Sequence, residues 1–105
     1  MKTRAAIVYE LNQPVIIDEV DLDAPKQSEV LVKMVASGIC HSDMSVINGT
    51  IPFPLPGVLG HEGAGIVMEI GEGVTLVQPG DHVMFTFVSA CGHCNYCTMG
   101  KPNLC

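Results

Sequence analysis

The chain has 105 residues, room for one small domain, and its eleven Asp and Glu against five Lys and Arg give a formal charge of −6. That balance leaves no clustered basic face for nucleic acid, and no apolar run approaches the length of a membrane span. At 48% hydrophobic and 15% charged residues the composition is globular, although a domain this small hides only a modest core.

The opening "MKTRAAIVYELNQP" has no continuous apolar segment and no small-residue cleavage site. It does not read as a secretory signal, and a cytoplasmic address is expected. The chain then reads as short strands punctuated by Gly and Pro. "RAAIVY" (4–9), "VIIDEV" (15–20) and "EVLVKMVAS" (29–37) are rich in β-branched residues, and the third is expected to present Val30, Val32 and Met34 on one face. A short helical turn is expected in "HSDMSVINGT" (41–50). "IPFPLPGVLG" (51–60), with prolines at 52, 54 and 56, is expected to be an ordered irregular loop. "AGIVMEI" (64–70) and "DHVMFTFV" (81–88) are two further strands, joined through "GEGVTLVQPGD" (71–81), where Gly71, Gly73, Pro79 and Gly80 supply turn chemistry. Strands without intervening amphipathic helices predict a mostly β fold, a small and partly open barrel rather than a βαβ unit.

The last fifteen residues, "CGHCNYCTMGKPNLC" (91–105), have no periodicity and need something other than a core to order them. Cys91, Cys94, Cys97 and Cys105 follow the pattern C-x2-C-x2-C-x7-C. Two intervening residues let successive thiolates turn toward one point, as a tetrahedral ion requires, and four sulfurs without an open position are how structural zinc is held. Gly92 and Gly100 give the tight backbone of such a knuckle. Amide N–H groups are expected to point inward at the charged sulfurs. An iron–sulfur run matches the first three spacings, but its fourth cysteine usually follows after three residues and precedes Pro. Disulfides rarely persist in a reducing compartment. His82 and His93 are expected to be ordinary histidines, since four sulfurs complete the shell.

The fifth cysteine, Cys40, lies upstream in "SGICHSD" (37–43), and His61 with Glu62 lies in "GHEGAG" (60–65). Both stretches adjoin glycines at strand or loop ends, where side chains can converge. Asp43 could accept the spare ring N–H of a metal-bound His61. A Cys–His–carboxylate set with a vacant place is the arrangement of catalytic zinc. "GAGIVM" from Gly63 imitates a dinucleotide fingerprint, but Met68 replaces the third glycine and no helix follows, so it is rejected as one.

"SGICHSD", "GHEGAG", "VQPGDHV", "CGHCNYC" and the last cysteine, in this order, resemble the zinc-dependent alcohol dehydrogenases of the medium-chain dehydrogenase/reductase family. The resemblance covers essentially the whole chain. It implies a GroES-like domain, with barrel residues 1–90 and a structural-zinc lobe at 91–105, followed in a complete enzyme by a Rossmann domain that is absent here. It further implies that Cys40 and His61 ligate a catalytic zinc and that Glu62 sits behind the metal. Ser42 would take the alcohol proton, Asp43 would orient His61, and His41 would meet the pyrophosphate of NAD(P). Cys91, Cys94, Cys97 and Cys105 would hold the structural zinc. The implied reaction is hydride transfer between an alcohol or aldehyde and NAD(P), with zinc as Lewis acid, in a homo-oligomeric parent enzyme. Two departures stand out. Ser45 occupies a place where many relatives carry a histidine that extends the proton relay, and the family's third catalytic-zinc ligand lies beyond residue 105. The chain is therefore expected to be the amino-terminal part of a longer enzyme, inactive alone, with a free-standing zinc-stabilised binding module as the alternative.

Overall fold

A computed structural model describes residues 1–105 as two open, three-stranded antiparallel sheets. One sheet has the order β2–β1–β4, built from β1 (Lys2–Val8), β2 (Ile16–Asp21) and β4 (Gly57–Val58). The other has the order β3–β5–β6, from β3 (Val30–Ser37), β5 (Gly63–Ile70) and β6 (His82–Met84). Helix α1 (His41–Ile47) follows β3 directly, and a short helix α2 (Asn95–Thr98) with a 3-10 turn (Pro102–Leu104) shapes the end of the chain. No helix is long and apolar enough to cross a membrane.

The long strands form where β-branched residues cluster, and their alternation decides which face is hidden. In β1, Thr3, Ala5 and Ile7 turn inward, with Val8 buried beside Ile7. In β5 the inward positions are Gly63, Gly65 and Val67. The two glycines of "GAGIVM" are thus strand residues chosen for closeness. A methyl on Gly65 would collide with the Lys33 carbonyl, and one on Gly63 would lie 2.5 Å from the Met34 side chain. No phosphate cradle exists there.

Four sequence expectations are refined. β4 forms inside the proline-rich stretch expected to be irregular, because Ile7 and Val8 of β1 pair with Val58 and Gly57. The strand expected over 81–88 ends at Met84, although Phe85 N–H still donates to the Gly63 carbonyl at 2.8 Å. The single face expected for Val30, Val32 and Met34 is broken by register shifts between Leu31 and Val32 and between Met34 and Ala36, which leave Met34 half exposed. The terminal lobe holds a helix and a 3-10 turn, although its sequence has no apolar period.

Only 6 of the 105 residues are buried, and Val8 and Val67 are the only large side chains that are fully so. The stability of the isolated fold therefore rests heavily on these two. Val67→Ala removes two buried methyl groups and should cost about 2 kcal/mol in urea unfolding. Val35→Ala, at a side chain 70% exposed, should cost less than about 0.5 kcal/mol.

Candidate metal centres and the active-site cleft

The upstream centre is built by the end of the β3–β5 ladder. Ser37 pairs with Gly63, and the next residue extends the pairing, Gly38 N–H donating to the Glu62 carbonyl at 2.8 Å. Cys40 lies just past β3 and His61 with Glu62 just before β5, so the ladder brings the three side chains together. The Cys40 sulfur, a His61 ring nitrogen and a Glu62 carboxylate oxygen lie within 4.8 Å of one another. Soft sulfur, imidazole and carboxylate in one small volume suit a zinc ion.

Cys40 is also the N-cap of α1. Its N–H donates to Asp43 Oδ2 at 2.9 Å, and Asp43 N–H donates back to the Cys40 carbonyl at 3.1 Å. This reciprocal cap fixes the ligand's backbone at the helix start. The second Asp43 oxygen faces His61 Nδ1 at 3.8 Å, within ion-pair reach but too long for a hydrogen bond. The His61 ring meets Phe87 edge to face, with centroids 5.0 Å apart.

These groups open on a cleft of about 980 Å³, lined among others by Cys40, Ser42, His61, Glu62, Phe85 and Phe87. Ser42 is half-buried in that wall; Glu62 is exposed to the cleft. His41, the first residue of α1, is exposed and lies outside the lining. Ser45 is used locally, its hydroxyl donating to the His41 carbonyl at 3.1 Å. Phe85 and Phe87 were not singled out in the sequence. Their spacing of two within "DHVMFTFV" is the signal that would have placed them on one face.

The second centre is the terminal lobe. No residue of its two short helices is buried, so apolar packing cannot hold it. The Cys91 and Cys97 sulfurs are 4.0 Å apart, the Cys94 and Cys105 sulfurs 3.8 Å, and all four lie within 4.8 Å of one another. Four sulfurs about 2.3 Å from one zinc ion stand about 3.8 Å apart along the edges of a tetrahedron. The cluster therefore has the size of a single-ion site. It is too tight to clasp a multi-iron cluster, whose thiolates sit on different irons, and all five cysteines are free thiols rather than disulfides.

The lobe's backbone serves the sulfurs. Gly92 and Gly100 hold φ of +79° and +75°, where a side chain would be strained. The expected inward N–H groups are present: Cys94 N–H donates to the Cys91 sulfur at 3.2 Å, and Cys91 N–H to the Cys105 sulfur at 3.4 Å. Backbone N–H groups of His93 and Cys94 hold the Cys91 thiol down at about 6. Cys105 moves the other way. The Cys91 N–H favours its thiolate, yet the hydrogen bonds with the Cys91, Cys94 and Cys97 sulfurs outweigh it and push the thiol up to about 11. Four neighbouring thiolates cannot coexist without a cation.

Residues 26–105 match the alcohol dehydrogenase GroES-like domain family. The chain belongs to this family. Over its whole length it is similar to the S-(hydroxymethyl)glutathione dehydrogenase of Synechocystis, at 53% identity, and to the NDMA-dependent alcohol dehydrogenase of Amycolatopsis methanolica, at 48%. It spans 29% and 28% of those two chains. The crystal structure of an alcohol dehydrogenase zinc-binding domain protein from Burkholderia ambifaria superposes with a TM-score of 0.92 at 43% identity, covering 100% of this chain and 28% of that one.

Within this GroES-like chain the four-cysteine lobe should hold one zinc tightly, since structural zinc contributes roughly 10 kcal/mol or more of folding free energy in small peptides. Cys94→Ser should release that ion and loosen residues 91–105, seen as one zinc fewer after dialysis and faster proteolysis of the lobe. The β1–β2 sheet should be untouched.

Proposed function

We propose that this chain is the zinc-bearing part of a dehydrogenase that moves hydride between an alcohol or aldehyde and NAD(P). The observation that carries the reading is the meeting of Cys40, His61 and Glu62 on the wall of a cleft that also contains Ser42. A free-standing zinc-stabilised module, the alternative, needs only the cysteine lobe and gives no reason for this second cluster.

In this reading Cys40 and His61 hold a zinc ion, with Glu62 as an adjacent carboxylate donor. Asp43 keeps the His61 ring oriented, and Ser42 accepts the alcohol proton through its hydroxyl. His41, exposed at the start of α1, offers one contact to the cofactor pyrophosphate. Bound zinc supplies Lewis acidity toward the alcohol oxygen, and the nicotinamide supplies the hydride acceptor. Phe85 and Phe87 add apolar surface to the cleft wall, which would exclude water from the reacting carbon once a second domain covers it. The reading keeps the cytoplasmic address expected from the sequence.

Correct placement of nicotinamide against alcohol can supply roughly 7–11 kcal/mol of the barrier. No dinucleotide fingerprint is found in this chain, and the glycines that imitate one, Gly63 and Gly65, are residues of strand β5. A second domain, absent here and of Rossmann type, is the natural supplier. The surface it would cover is apolar: Met84 is 82% exposed and Phe87 77%. The reading extends to a homo-oligomeric parent, as the family resemblance implies.

The test is a longer chain that continues past Cys105. It should oxidise a small alcohol with NAD or NADP. Ser42→Ala should lower kcat by about 10²–10⁴, the usual worth of a proton acceptor, and His61→Ala should abolish turnover. An extended protein that turns over neither alcohol nor aldehyde with either cofactor would overturn the reading.

A further inference from the structure

We infer that Gly38 is the positioning residue that gives the Glu62 carboxylate its place among the metal ligands. The inference rests on the reading of Cys40, His61 and Glu62 as a metal centre. A methyl group built on Gly38 would overlap Glu62 Oε2 and would lie 3.1 Å from Glu62 Cβ and 3.3 Å from Cδ. No backbone reason demands glycine here, because Gly38 is not among the residues with positive φ. The missing side chain is needed only for the space it leaves.

That space is occupied by the carboxylate, and the surrounding geometry decides what must give if it is filled. The backbones of Gly38 and Glu62 are tied by the 2.8 Å N–H···O bond, and the adjoining pair Ser37 and Gly63 is in register in the β3–β5 ladder. The Glu62 carboxylate, by contrast, is the far end of a flexible side chain on the cleft wall. It is the part free to move. An alanine at 38 would drive the carboxylate toward solvent, away from the Cys40 sulfur and the His61 ring, while its approach to Glu62 Cβ asks only a few tenths of an ångström of the ladder. Glycine at this position thus turns an exposed glutamate into a third donor for a site in which this chain offers only one sulfur and one imidazole.

A double-mutant cycle read by metal binding tests this. The whole chain is first loaded with one equivalent of Zn²⁺ to fill the cysteine lobe. Co²⁺ is then titrated, and its thiolate charge-transfer band reports the single Cys40 sulfur. Gly38→Ala should weaken Co²⁺ binding at least about tenfold, Glu62→Ala by a similar factor, and the double variant no more than either alone, since both remove the same contact. Losses that multiply in the double variant would overturn the inference, because the glycine would then act through the backbone. So would a Gly38→Ala chain that binds Co²⁺ as well as the unaltered one. If Gly38→Ala fails to fold, as judged by circular dichroism, restored folding in the double variant supports the clash and continued unfolding overturns it. An unaltered chain that binds no Co²⁺ outside the lobe would overturn this inference alone, since the dehydrogenase reading stands or falls on turnover by the longer chain.

Discussion

The antiparallel pairing of β3 with β5 is the constraint on which the cleft depends. Two candidate ligands far apart in sequence reach one point because Cys40 follows the end of β3 and His61 precedes the start of β5. The Gly38–Glu62 backbone bond carries the ladder one residue past Ser37 and Gly63, which sets the distance between the two ligand-bearing segments. From there α1 begins at once, and its cap joins Cys40 to Asp43. A one-residue slip of this register would turn every alternate side chain of β5 to the other face and disperse the centre. The close-packed glycines at 63 and 65 resist such a slip, since β3 side-chain and backbone atoms sit where any larger residue would need room.

The two halves of the chain solve the problem of small size differently. The sheets bury a handful of aliphatic residues and leave broad apolar surface uncovered, in a chain that spans under a third of the length of the relatives it matches. The lobe buries nothing and depends on four sulfurs held at the spacing of one tetrahedral ion. Its order is electrostatic and coordinative. With zinc bound there, as proposed, its free energy of folding would be in large part a free energy of metal binding.

Much of this was legible in the residues. β-branched runs announced the five longer strands, and the C-x2-C-x2-C-x7-C spacing announced the lobe, because both signals are local. What escaped the sequence is set by distant partners. β4 exists only because β1 offers it a free edge, which a run of prolines conceals. The true end of β6 depends on where β5 stops pairing with it. Asp43 was expected to orient His61 by a hydrogen bond, yet its strongest contact is to the Cys40 N–H, a competition that no pattern of residue types reveals. Gly38 signalled only a strand end where side chains can converge, since the meaning of an absent methyl lies in the atoms that occupy its place.

The central claim is that one chain presents two different zinc environments, one all sulfur and one mixed. Zinc X-ray absorption at one and then two equivalents of metal measures this directly. The account predicts a shell of sulfur alone at about 2.3 Å with the first equivalent, joined on the second by nitrogen and oxygen at about 2.0–2.1 Å. A shell that stays purely sulfur at two equivalents, or one already mixed at the first, would contradict it.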